Sequence, residues 1–251
     1  MNFEKFAEKY QEPLKLHEDP GHLWDKDEQG RDWRNVTEHC LLEAARAEVF
    51  SEKLKFTTEL AQDLATAAAL HDFYKKIDIQ YTREDLAAGG SGDAGNLRSE
   101  AEAAEYLRRA GYNERVITMI KGVGGDPGKL LLIKKLFDEG QPSDDNIAEM
   151  VLHYIDDYTV GNAPAAEAKD GKNDVDARME RNATNADYKK MNEGAMEIYK
   201  GTLLEGRTRF AAQAEIAHLI EQKLSQLIKE RSGEDIEPLR LPEAIDRAME
   251  A

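Results

Sequence analysis

The chain has little cysteine, few basic residues for its acidity, and no long apolar run. Cys40 is the only cysteine in 251 residues, so no disulfide can form within one chain, which fits a reducing compartment. No stretch of about 18 apolar residues is present, and the first residues lack the continuous apolar segment of a secretory signal. These shortages predict a cytoplasmic protein that has no membrane partner.

The shortage of basic residues limits the choice of partner. Lys and Arg number 34 against 50 Asp and Glu, which gives a formal net charge of −16. A protein that binds a nucleic-acid polymer needs a basic face to displace phosphate counterions, so this composition argues against such a partner. A local basic pocket for one small phosphate group is compatible with it.

The chain also lacks the strict alternation of apolar and polar residues that marks a half-buried strand. Apolar residues recur instead every three or four positions, which is the period of a helix. The sequence therefore predicts an all-α protein. The predicted helices span 32–54, 57–76, 100–111, 113–121, 129–139 and 144–158, then a stretch from about 176, a long amphipathic helix near the C-terminus, and a last short helix beyond Pro242.

Two polar stretches are predicted as loops. Residues 85–100 are rich in glycine, and they end in a capping-box pattern with Ser99 as N-cap and Glu102 three residues later. Residues 162–174 are polar as well. The predicted organisation is a lead-in over 1–30, a helical metal-binding core over 31–165, and a helical extension over 166–251 that packs on the core.

His71 and Asp72 stand side by side at the polar end of an apolar helical run. Two ionisable side chains next to a core cost solvation energy unless something pairs with them. His39 and Asp156 lie on or beside the apolar faces of other predicted helices, and imidazole and carboxylate are suitable ligands for a divalent ion. These residues therefore form a candidate metal site. The alternative is a core histidine that is satisfied by a backbone carbonyl.

With these residues the sequence resembles the HD-domain superfamily of metal-dependent phosphohydrolases. The family pattern is a His, a distant His-Asp pair and a final Asp, all on helices. The matching residues are His39 in "NVTEHCLLEA", His71 and Asp72 in "AALHDFYKK", and Asp156 in "LHYIDDY". Lys75 stands where many members carry the lysine of a His-Asp-x-Gly-Lys motif. The resemblance covers roughly residues 33–160 and implies an HD-like helical core.

The resemblance also implies an activity. One divalent ion (Mn, Fe, Co, Ni, Zn or Mg) would be held by His39, His71, Asp72 and Asp156, leaving positions open for water and substrate. The expected reaction is hydrolysis of a phosphate ester, such as a nucleotide or another small phosphorylated metabolite. Asp72 would orient or deprotonate the attacking water, and Lys75 would balance the phosphate charge. Dinuclear members carry two further histidines, and Ser99 and Val123 stand at those places, so the resemblance implies a single ion.

Several alternatives stay open at this point. The same pocket could serve a non-catalytic sensor of a metal or a nucleotide. Asp157 competes with its neighbour Asp156 as the inward-facing ligand, although the family pattern favours Asp156. His153 lies one turn before Asp157 and is predicted to be partly exposed. A homo-oligomer is compatible with the sequence.

Other basic residues are weaker candidates for contacting phosphate. Arg34 and Lys76 flank the matching motifs. Four arginines of the C-terminal third could line an anion pocket, but charged residues on a helix face are more often simply solvated. These four are Arg178, Arg181, Arg207 and Arg209.

Overall fold

A computed structural model describes residues 3–124, 126–138, 140, 142–161, 174–185, 188–192, 199–202 and 204–249. Over these residues the chain is all-α, as predicted, with twelve α-helices and no strand. The helices are α1 (Phe3–Lys9), α2 (Gln11–Glu18), α3 (Arg34–Lys53), α4 (Thr58–Leu70), α5 (Lys75–Ala87), α6 (Asp93–Arg109), α7 (Glu114–Gly122), α8 (Pro127–Asp138), α9 (Asp144–Tyr158), α10 (Val175–Thr184), α11 (Arg209–Ser232) and α12 (Leu241–Ala248).

Two of the predicted features lie mostly outside the described residues. The polar stretch 162–174 lies outside the described residues except for Asp174, and so does the predicted boundary at 165. The division into a core and an extension therefore stays a prediction.

Several helices begin at side-chain caps that satisfy free backbone N–H groups. The side chain of Thr57 accepts from the Leu60 N–H at the start of α4, and that of Asn113 accepts from the Val116 N–H at the start of α7. Ser143 and Asn146 form a complete capping box at the start of α9. These caps fix where the core helices begin.

The core forms where α3 packs along α4 and α9 contacts both of them. Helix α7 packs on α4 and α9, and α11 adds a further layer against α9 and α3. Phe50, Leu64, Leu152 and Ile220 come from four of these helices and are fully buried. Burying a side chain of this size stabilises the fold by about 1.5–3 kcal/mol. His39 and Asp156 thus lie on helices of this core, and His71 and Asp72 directly follow a third.

The predicted helix over 57–76 is wrong at its C-terminal end. Helix α4 ends at Leu70, residues 71–74 form a turn, and α5 begins at Lys75. In a continued helix the Ala68 carbonyl would accept from the Asp72 N–H, but the His71 Nδ1 atom takes that carbonyl at 2.8 Å. The turn also buries Phe73 completely. A local side-chain hydrogen bond has therefore replaced a helical one.

The predicted loop over 85–100 and its cap are also wrong. Helix α6 begins at Asp93, so Ser99 lies inside the helix. Ser99 is buried, and its hydroxyl donates to Asp78 Oδ1 at 2.7 Å instead of capping a helix. The early start is possible because Gly95 has no side chain where α6 approaches the Tyr81 backbone.

No helix in the described part of the chain combines the length and apolarity needed to cross a bilayer.

Candidate metal centre

Four side chains from three helical segments meet at one point. His39 and Glu43 lie one turn apart on α3, His71 directly follows α4, and Asp156 lies in the last turn of α9. Each offers one ligand atom, and these four atoms all lie within 4.8 Å of one another. The His39 Nε2 atom is 3.0 Å from Glu43 Oε1 and 3.6 Å from Asp156 Oδ1. The His71 Nε2 atom is 3.4 Å from Glu43 Oε2.

Backbone carbonyls orient both imidazoles toward this cluster. His39 Nδ1–H donates to the Gly161 carbonyl at 2.7 Å, and His71 Nδ1–H donates to the Ala68 carbonyl at 2.8 Å. Because a carbonyl only accepts, each neutral ring carries its lone pair on Nε2, the atom that faces the carboxylates. Metal-binding histidines are commonly held in this way by a hydrogen bond to their other nitrogen.

While the imidazoles are neutral, three buried polar atoms of the cluster have no hydrogen-bond partner among the described residues. They are both carboxylate oxygens of Glu43 and the Nε2 atom of His71. Glu43 is completely buried. A buried polar atom without a partner costs about 1–3 kcal/mol, and more when it is charged. A cation between these atoms would satisfy all of them at once, so the cluster could hold a metal ion.

The charges of the cluster favour a bound cation. Burial opposes a charge on His39, but Glu43 and Asp156 outweigh burial and raise the pKa of His39 to about 10. Burial likewise opposes the negative charge of Asp156, but His39 and Arg178 hold the pKa of this carboxyl well below its usual range. The Asp156 carboxylate is therefore ionised at neutral pH and attracts positive charge, whether a proton or a metal ion.

Asp72 and Lys75 lie beside the cluster. The Oδ2 atom of Asp72 is 3.8 Å from His71 Nε2, while its Oδ1 atom accepts from Lys75 Nζ at 3.2 Å. Asp72 does not belong to the group of four residues whose ligand atoms all lie within 4.8 Å of one another. Its roles as a ligand and as a catalytic residue, and the role of Lys75, stay predictions.

Asp157 faces away from the cluster and forms a second buried group. Its Oδ2 atom is 3.1 Å from His153 Nε2, and its Oδ1 atom accepts from the Gln213 amide. The prediction that His153 is partly exposed is wrong, because the residue is fully buried. Its Nδ1–H donates to the Gly122 carbonyl at 2.9 Å. This group therefore joins α9 to α7 and α11.

The cluster opens into a cavity of about 430 Å³, a size that suits a small-molecule ligand. The cavity is lined by more basic side chains than the acidic composition of the chain would suggest. The basic residues are Lys75, Lys121, Lys129, Arg178, Arg181 and Arg209, and the acidic residues are Asp72, Asp78, Glu100, Asp126 and Asp156. The cavity could therefore accept an anionic ligand beside the cluster.

Three of the weaker phosphate candidates lie elsewhere. The guanidinium of Arg34 lies over the Trp24 ring, 4.6 Å from its centroid. Lys76 donates to the Asp25 carbonyl at 2.9 Å, and Arg207 pairs with Glu215 on the surface. These three residues make contacts elsewhere and do not line the cavity.

Glu43 is the member of the cluster that the sequence analysis missed. It follows His39 by four residues, so both lie on one face of α3. An acid inside the apolar run "CLLEAA" was the available signal, since a buried carboxylate needs a partner.

Comparisons of the chain with models of protein families, with curated proteins and with solved structures gave no match. The interpretation of the site therefore depends on its geometry and on the motif resemblance.

Proposed function

We propose that the protein is a metal-dependent phosphohydrolase that acts on the phosphate ester of a small, nucleotide-sized metabolite. The observation that carries this proposal is the meeting of two imidazoles and two carboxylates beside a cavity whose lining includes six basic and five acidic side chains. The resemblance of His39, His71, Asp72 and Asp156 to the HD-domain pattern supports the same assignment.

The proposed cofactor is one divalent ion among Mn, Fe, Co, Ni, Zn and Mg. His39, His71 and Asp156 would hold it, together with Glu43 or Asp72. When bound, such an ion supplies Lewis acidity to a phosphoryl oxygen and to a water molecule. Mixed imidazole and carboxylate ligands suit borderline and hard divalent ions.

Asp72 would orient the attacking water. Burial opposes its charge, but Lys75 and His71 outweigh burial and lower the pKa of Asp72. The carboxylate is therefore ionised at neutral pH and accepts a hydrogen bond from a water molecule well. In the reaction the water oxygen bonds to phosphorus, the ester P–O bond breaks, and the alcohol leaves with a proton. Lys75 offsets the negative charge that the phosphoryl oxygens carry.

The first experiment combines elemental analysis with a panel of phosphate esters assayed under added Mn²⁺, Mg²⁺, Co²⁺ and Ni²⁺. The wild type is compared with Glu43→Gln and Asp72→Ala. Glu52→Gln is the control, because Glu52 is an exposed acid on the same helix. We expect near-stoichiometric metal and turnover in the wild type and the control. We expect metal affinity to fall by about tenfold or more in Glu43→Gln, and turnover to be lost in Asp72→Ala.

Two outcomes would contradict the proposal in different ways. Metal that binds without turnover of any phosphate ester would favour a sensor built on the same pocket. Absence of metal from a wild type that folds as well as its variants would mean that the cluster is structural.

A further inference from the structure

Arg178 approaches the candidate metal site from α10, a helix that lies beyond residues 33–160, the part of the chain that carries the motif resemblance. Its Nη2 atom donates to Asp156 Oδ1 at 3.3 Å, and its side chain is 21% exposed. This is the Asp156 oxygen that lies 3.6 Å from His39 Nε2. Arg178 also lines the cavity. The guanidinium therefore borders both the cluster and the space for a ligand.

Helix α10 holds Arg178 in this position. The side chain of Asp174 accepts from the Ala177 N–H at 2.7 Å and caps the helix. Val175 and Met179 are buried on one side of α10, which packs against α9 and α11. The direction of Arg178 thus follows from the packing of its helix.

Arg178 keeps most of its hydrogen-bonding capacity among the described residues, while two other basic side chains of the cavity pair with acidic residues outside the cluster. Lys129 is held by Glu100 and by the Val123 carbonyl, and Arg209 is paired with Asp93. Among the described residues, the Arg178 side chain makes one hydrogen bond, to Asp156. A guanidinium has five N–H donors in a planar fork that matches two oxygens of a phosphate. Further donors are therefore left for a ligand.

A second cation flanks the cluster in a similar way. Lys75, which precedes α10 by about a hundred residues, donates to Asp72, and Arg178 donates to Asp156. A phosphate group at the open side of the cluster would meet a flexible ammonium and a planar guanidinium. The guanidinium is the better partner for two oxygens of one phosphate.

We propose that Arg178 is the residue that binds the phosphate group of the substrate through two of its N–H donors, so that α10 completes the site. This inference deepens the proposed function and depends on it. The hydrogen bond to Asp156 then has a second effect, because it draws negative charge away from an oxygen that a metal ion would use. Removal of Arg178 leaves metal affinity unchanged or raises it, while phosphate affinity falls. A purely structural arginine would lower both.

The test measures two affinities in the full-length chain by calorimetry: Mn²⁺ binding, then inorganic phosphate binding to the Mn²⁺-loaded protein. The variants are Arg178→Met, which removes the charge, and Arg178→Lys, which keeps the charge but not the fork. Arg207→Met is the control, because it removes the same charge from a surface pair with Glu215. In Arg178→Met we expect phosphate affinity to fall by about tenfold or more with no loss of Mn²⁺ affinity. Arg178→Lys is intermediate, and Arg207→Met behaves as wild type.

The outcomes separate this inference from the function on which it depends. A wild type that binds neither Mn²⁺ nor phosphate overturns both. A wild type that binds both, with unchanged phosphate affinity in Arg178→Met, overturns the inference alone. Parallel loss of both affinities would make Arg178 structural. If Arg178→Met does not fold, Arg178→Lys decides the question, and phosphate affinity equal to wild type overturns the inference.

Discussion

At the scale of single residues, His17 supports the turn that carries the candidate ligands. Its Nε2–H donates to the Ala69 carbonyl at 2.9 Å, two residues before His71. Its Nδ1 atom accepts from the Thr37 hydroxyl at 2.9 Å, and that hydroxyl accepts from the Trp24 indole N–H at 2.7 Å. Each donor in this chain meets an acceptor only when His17 is neutral. The imidazole therefore links α2 to α3 and to the end of α4.

The neutral form of His17 predicts a loss of stability in acid. Burial lowers the pKa of His17 to about 4, while the unfolded chain takes up a proton near pH 6.5. Its contribution to stability is therefore complete above pH 6.5 and is lost as the pH falls toward 4. This loss amounts to about 3 kcal/mol of unfolding free energy. We expect the wild type to lose that much more than His17→Gln between pH 7 and pH 4, as measured by urea unfolding.

All other ionisable side chains are the same in the two proteins, so the comparison with His17→Gln isolates this histidine. We do not expect His218 to add to this loss of stability in acid, because its partners Glu221 and Asp176 raise its pKa to about 9. Equal acid sensitivity of the wild type and His17→Gln would mean that the buried imidazole takes up its proton without disturbing the fold.

At the scale of helices, α5 and α6 lie unusually close together. An ideal Cβ atom added to Gly95 would lie 2.4 Å from the Tyr81 carbonyl oxygen and 2.6 Å from the Thr82 nitrogen. Both atoms belong to the backbone of α5, so no side-chain rotation can relieve the contact. The pair of helices carries Lys75 and the buried Ser99, both of which line the cavity.

Gly95→Ala should therefore push the two helices apart. We expect it to lower the unfolding free energy by about 1–3 kcal/mol, in spite of the better helix propensity of alanine. Gly122→Ala is the matched control, because Gly122 is also helical and no atom lies within 4 Å of its ideal Cβ. That substitution should be neutral or should stabilise the fold by up to about 1 kcal/mol. A Gly95→Ala variant as stable as Gly122→Ala would contradict the close approach.

These same helices show where prediction from the sequence stops. Helices α3, α7, α9 and α11 follow from their apolar spacing, and α7 and α9 also begin at side-chain caps. The end of α4 and the start of α6 depend instead on contacts that apolar spacing does not show. These are the local hydrogen bond from His71 to the Ala68 carbonyl and the tertiary contact of Gly95 with α5. The candidate residues show the same limit. Residue type and the family resemblance single out His39, His71, Asp72 and Asp156 as predicted ligands. The inclusion of Glu43 depends instead on how three helical segments meet.

At the scale of the whole molecule, a single apolar core extends from α2 to α12 among the described residues. One buried ion pair joins distant parts of the chain within it. Arg46 of α3 is fully buried, and it donates from Nε and Nη2 to the two carboxylate oxygens of Asp246 in α12, at 2.8 and 2.9 Å. It also donates to Thr159 at 2.6 Å. The last helix is thereby held next to the helix that carries His39 and Glu43.

Asp246→Asn should destabilise the protein strongly, because it leaves the buried Arg46 charge without its counter-ion. Loss of one partner of a buried pair costs about 3–5 kcal/mol, whereas an exposed pair contributes about 0–1 kcal/mol. Glu243→Gln is the matched control on α12, since its pairs with Arg240 and Arg247 are exposed.

Urea unfolding of the two variants measures this difference, and the double variant Arg46→Met with Asp246→Leu tests its cause. Removing both charges abolishes the need for a counter-ion, so we expect the double variant to be more stable than Asp246→Asn. If the double variant is the least stable of all, the pair holds α12 in place through its geometry, which an apolar pair cannot replace. If Asp246→Asn behaves like Glu243→Gln, the carboxylate does not stabilise the packing of α12 on the core. The hydrogen bond from Arg46 to Thr159 is then enough to keep the buried guanidinium stable.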